Sequence, residues 1–200
     1  MPGNREYKDG VFRMLFNNKD KLRQLYNAIT GTHYTKKTPI KINTLVNPIF
    51  TTIRNDVSFA IGGKILCLIE HQSTVNENMP LRMLLYYALI LLRQKTLDMK
   101  KTGYKRKKSK TPRPRLIVLY NGKRDQREKS YLHLSDLFED VDEEENGLVP
   151  DQDFLITVLN INQGYNEDIK RKCPTLGEYS IFVATVRRKE SQGMALEEAL

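Results

Sequence analysis

Two acids and an amide, Asp56, Glu70 and Gln72, lie in a stretch with the texture of a β-hairpin. Val57, Phe59 and Ile61 alternate on one arm, and Ile65, Cys67 and Ile69 on the other. Opposed residues of an antiparallel pair face the same way, so one apolar face requires odd numbers to pair with odd. A three-residue loop, Gly62-Gly63-Lys64, achieves this by pairing 61 with 65, 59 with 67 and 57 with 69. A two-residue Gly-Gly turn would pair odd with even and scramble both faces, so it is rejected. The opposite face then carries Asp56 directly across from Glu70, with Cβ atoms roughly 5 Å apart. Gln72 follows two residues along the same face.

Carboxylates this close repel unless a proton or a cation lies between them. Hard oxygen ligands suit Mg²⁺ or Mn²⁺. Such an ion polarises a scissile phosphate and lowers the pKa of a bound water. Gln72 cannot carry a full proton, but its amide can orient an attacking water. By themselves, an Asp at a strand start and a Glu-x-Gln near a strand end are also common surface features.

The elements that must position these groups are legible in outline. Val11, Phe12, Leu15 and Phe16, then Leu22, Leu25, Tyr26 and Ile29, predict two helices, the second capped by Asn18 and ended by Gly31. From Ile40 to Ser73 the pattern is β. A strongly apolar helix follows, with Asn78 as its cap and Pro80 in its first turn, expected to be buried against the sheet. Strands are predicted at Arg115 to Asn121 and Phe154 to Asn160, and a last helix opens at Pro174. The acidic stretch Asp136 to Glu145 reads as a solvated face or loop. This order indicates an α/β fold with a mixed central sheet, as one domain over residues 1–200.

The chain's net charge of +9 has a local origin. Nine cations and no acid occupy residues 100 to 115, and the remainder is balanced. This tract reads as a basic loop at about 100–114 that would hold a polyanion backbone. Its Lys105, Arg106, Lys107, Lys108 and Lys110 are candidate DNA contacts. Two cysteines, no signal-peptide core and no apolar run beyond nine residues predict a soluble cytoplasmic protein with no membrane partner.

The segment NDVSFAIGGKILCLIEHQSTVNENMPLRMLLYY resembles the Rpn family of recombination-promoting nucleases and putative transposases, in the PD-(D/E)xK nuclease superfamily. The opening YKDGVFRMLFNNKDKLRQLYNAITGTHY, the strand RLIVLYNG and the later GYN are similar too. The resemblance implies a restriction-endonuclease-like core with an antiparallel catalytic hairpin flanked by helices. It implies Asp56 and Glu70 as ligands to Mg²⁺ or Mn²⁺, the backbone carbonyl of His71 as a further ligand, and Gln72 in place of the superfamily's usual lysine. The His71 side chain points away from the Asp56 face and is expected to pack. Arg82 matches an arginine that contacts phosphate or braces Glu70, and Asp9 is an accessory acid.

The implied activity is metal-dependent DNA endonuclease chemistry linked to recombination or transposition, with a homo-oligomer left open. The alternative is an inactive DNA-binding remnant of a mobile-element nuclease. Family members continue beyond a motif resembling ALEEAL, which predicts a truncated C-terminal helical part.

Overall fold

A computed structural model describes residues 3–43, 56–102, 110–139 and 153–200. Two helices open the chain, α1 (Gly3–Phe16) and α2 (Lys19–Thr30). The Asn18 side chain accepts from the backbone N–H groups of Asp20 and Lys21 at 2.9 and 3.2 Å, and caps α2. Gly31 ends that helix in the left-handed region, at φ 69°.

Strands β1 (Ile40–Ile42), β2 (Val57–Ile61) and β3 (Ile65–Gln72) follow. Next come α3 (Met79–Thr102), β4 (Arg113–Tyr120), β5 (Lys129–His133) and a 3-10 turn at Ser135–Leu137. The described residues finish with β6 (Leu155–Asn160), α4 (Glu167–Lys172), α5 (Pro174–Ser191) and α6 (Leu196–Ala199). Among them, six strands form one sheet in the order β1-β2-β3-β4-β6-β5. The β1/β2, β2/β3 and β5/β6 pairs are antiparallel, whereas β3/β4 and β4/β6 are parallel.

The hairpin has the odd-to-odd register, with Ile61 opposite Ile65, Phe59 opposite Cys67 and Val57 opposite Ile69. Gly62 and Gly63 both take positive φ, 61° and 67°, which lets three residues close the turn. The odd face buries Phe59, Ile61, Cys67 and Ile69 under α1, α2, α4 and α5. The even face buries Leu66, Leu68, Leu116 and Val118 under Met79, Met83, Tyr86 and Ile90 of α3. Helices therefore cover both faces of a mixed sheet.

Strands β3, β4 and β6 run the same way, so Gln72, Tyr120 and Asn160 end at one edge of the molecule. Because β2 runs the opposite way, Asp56 stands at that edge just before β2 begins.

Two sequence-based expectations change. The tract at 100–114 is not a loop throughout, because α3 runs to Thr102 and β4 begins at Arg113. Nothing between Gln94 and Thr102 breaks a helix, and the first glycine is residue 103. Helix α3 is buried against the sheet as expected, through Met79, Met83, Tyr86 and Ile90, but it is not covered all round: Leu81, Leu85 and Leu92 are exposed. Strand β5 was not anticipated, being a short edge strand rich in polar residues that pairs with β6 alone. No helix among the described residues is long and apolar enough to cross a membrane.

One close approach at the strand ends has a measurable consequence. A Cβ added to Gly122 would stand 2.2 Å from the Ser73 carbonyl oxygen and 2.2 Å from the Tyr120 hydroxyl. Gly122→Ala is expected to cost about 1–3 kcal/mol, the range of overpacking. Equilibrium urea unfolding measures this loss.

Candidate active site

At the edge where β3, β4 and β6 end, an open cleft of about 740 Å³ is walled by α1, the end of β3 and the start of α3. Asp9, Arg13, Asp56, Glu70, His71, Gln72 and Arg82 all line it. Residues drawn from four stretches of sequence thus meet in one place.

The two carboxylates are built into the hairpin's backbone. The Asp56 N–H donates to Glu70 Oε1 at 3.0 Å, and the His71 N–H donates to Asp56 Oδ2 at 2.9 Å. Each acid also has an arginine. Arg13 Nε donates to Asp56 Oδ1 at 3.1 Å, and Arg82 Nη2 lies 3.7 Å from Glu70 Oε2. Arg82 is held in turn by donating to the Tyr86 hydroxyl at 2.7 Å.

Burial, followed by the Asp56 charge, pushes the Glu70 carboxyl up to about 8. The Asp56 carboxyl is raised too, burial being the main cause. The pair therefore retains a proton at neutral pH unless a cation replaces it.

Gln72 Oε1 is buried with no hydrogen-bond partner. An amide oxygen in that state lacks a donor or a cation, since buried polar groups are normally satisfied. Among the described residues, no group of three or more His, Cys, Asp or Glu side chains is arranged to hold a metal. Any ion here would rest on two carboxylates, neutral oxygens and water. Mg²⁺ accepts such a set, because it usually keeps several waters and takes only one or two carboxylates.

The His71 side chain turns to the opposite face of the sheet. Its ring stacks on Phe12 with centroids 5.2 Å apart. Nδ1 lies 3.2 Å from Asp9 Oδ1, and Nε2 lies 2.9 Å from the Tyr179 hydroxyl. It is a packing residue that ties α1 to β3 and α5.

Two further groups at this edge were not singled out from the sequence. Arg13 is one. Lys8 is the other: it is buried, with Nζ 3.5 Å from Ser73 Oγ. Burial lowers its pKa to about 8, helped by the nearby charges of Arg187 and Lys123. A signal existed, since Asp9 and Arg13 are one helical turn apart and flank the buried Phe12.

The basic tract is not brought to the cleft by any described residue. Arg113 pairs with Ile65 and Tyr120 with Gln72, so β4 begins at the end of the sheet opposite the carboxylates. Lys110 precedes that far end. Lys105, Arg106, Lys107 and Lys108 lie outside the described residues.

The profile of the family described as "Putative transposase, YhgA-like" matches residues 7–176, and the chain belongs to that family. The description links its members to transposition. No curated protein and no solved structure matches the chain.

Proposed function

We propose that the protein is a divalent-metal-dependent DNA endonuclease, with a restriction-endonuclease-like core and a reaction centre of Asp56, Glu70 and Gln72. The observation that carries this reading is the buried carboxylate pair beside an unpartnered amide oxygen. Family membership supports DNA as the substrate.

Asp56, Glu70 and the His71 carbonyl would hold Mg²⁺ or Mn²⁺. When bound, the ion supplies charge neutralisation at a scissile phosphate and a more acidic water. Gln72 Oε1, buried without a partner, would accept a hydrogen bond from a water in the cleft and orient it. Arg13 and Arg82, now paired with the two acids, are partly exposed and can turn to phosphate oxygens once the acids are neutralised.

The test is supercoiled plasmid incubated with wild type and Asp56→Ala, in Mg²⁺ and in EDTA. Wild type should nick or linearise the plasmid only in Mg²⁺, and Asp56→Ala should do neither. Cleavage by Asp56→Ala at the wild-type rate removes the assignment. DNA binding by wild type without cleavage in Mg²⁺ or Mn²⁺ selects the inactive-remnant alternative.

A further inference from the structure

Next to the carboxylate cleft, at the ends of β4 and β6, lies a second cleft of about 480 Å³. Its walls include Gly122, Lys123, Arg124, Asn162 and Arg187. We infer that this cleft seats the sugar–phosphate backbone of the DNA strand that runs through the reaction centre. The inference rests on the nuclease reading and adds where the substrate is gripped.

Four observations support it. The first is contiguity: Ser73, which lines the carboxylate cleft, has its carbonyl in close approach to Gly122, and its Oγ donates to Asn121 Oδ1 at 3.2 Å. One strand of nucleic acid can therefore pass from one cleft to the other.

The second is charge. Lys123, Arg124 and Arg187 line it with one acid, Asp125, which already accepts from the Tyr165 hydroxyl at 2.8 Å, while Glu190 beside the cleft acts on Arg187 and Lys8. Lys8 stands near enough to Lys123 and Arg187 to feel both. These four cations against Asp125 and Glu190 leave an excess of positive charge that an anion in the cleft would offset.

The third is rigidity. Arg187 donates to the Asn121 carbonyl and, at 3.0 Å, to Asn162 Oδ1. Asn162 Nδ2 in turn donates to the Gly122 carbonyl at 3.0 Å. The guanidinium is thus fixed in place, its Nε buried, with one further N–H on each of Nη1 and Nη2.

The fourth is position. In open α/β sheets, ligands bind outside the carboxyl ends of the strands. The basic tract enters β4 at the opposite end of the sheet, where Arg113 pairs with Ile65.

No base edge needs to be read for this contact. The ligand is the phosphodiester backbone of either strand, and binding is independent of sequence.

The experiment measures fluorescence anisotropy of a labelled DNA duplex in EDTA, which keeps cleavage out of the reading, across a salt series. It compares wild type, Lys123→Ala/Arg124→Ala, and a control pair, Lys37→Ala/Lys64→Ala, whose exposed lysines stand beside and within the hairpin turn at the far end. The first pair should raise Kd about tenfold or more and reduce the slope of log K on log salt by up to about 0.9 per lost contact. The control pair should move neither. Wild-type Kd and slope in Lys123→Ala/Arg124→Ala, or an equal loss in the control pair, overturns the inference and leaves the nuclease reading intact. Failure of wild type to bind the duplex at any salt overturns both. Binding without metal-dependent cleavage overturns the nuclease reading alone, and the slope still decides the cleft.

Discussion

Glu70→Gln is expected to lose at least about 100-fold in Mg²⁺-dependent cleavage, the scale on which single electrostatic groups act at a reaction centre. The same variant is expected to become more stable than wild type as pH rises past neutrality, because the wild type loses stability there. Both effects come from one buried carboxylate. Glutamine retains the shape and the oxygen that accepts from the Asp56 N–H, and removes the charge that a cation would need.

The sign of the stability effect follows from burial. In the folded chain the Glu70 carboxyl titrates at about 8, against 4.5 for an ordinary glutamate. Between those values the folded chain holds a proton that the unfolded chain has released. Unfolding therefore releases a proton, and rising pH favours the unfolded chain by at most about 1.4 kcal/mol per pH unit. The stability present below 4.5 is lost as pH rises through about 8. Glutamine has no such proton, so its urea-unfolding curve should flatten over the same range. Unfolding of both proteins in EDTA from pH 5 to 8.5 makes the comparison. Parallel slopes would contradict the burial argument, and undiminished cleavage would remove Glu70 from the centre.

His71→Ala should have the largest effect on stability, about 3 kcal/mol. The imidazole side chain is fully buried, and its loss opens a cavity between Phe12 and Tyr179. It also removes one of the Tyr179 hydroxyl's three partners among the described residues, at 2.9 Å, and the contact to Asp9. At this chain length the melting temperature should fall by about 6–12 °C. His71→Phe separates the contributions, because it refills most of the cavity and removes only the polar contacts to Tyr179 and Asp9. A melting temperature near wild type for His71→Ala would show that the ring carries little of the packing between α1 and β3. Cleavage should fall in parallel, since α1 carries Asp9 and Arg13 to the cleft.

How much of this was legible in the sequence differs by element. The hairpin was readable to the residue, because a period-2 apolar pattern on both arms admits one register. That register alone brought Asp56 beside Glu70. Asn18 and Gly31 marked the ends of α2 through local chemistry that needs no tertiary contact. The end of α3 was misread: its cations suggested a loop, and charge does not stop a helix where glycine and proline are lacking. Strand β5 was missed because its pairing with β6 is non-local and its own five residues carry a weak pattern.

The sequence by itself determined the carboxylate pair, the amide beside it and the sign of the total charge. Only the tertiary structure decided which cations stand near that pair. Local alternation sets the neighbours across a hairpin, whereas the distance from a charge to a cleft depends on which way the strands run. Parallel pairing of β3 with β4 puts the end of the basic tract, Arg113 to Arg115, at the far edge. The parallel β4/β6 pair and the packing of α1 and α5 bring Lys8, Lys123 and Arg187, three cations far apart in sequence, to the edge where the acids are.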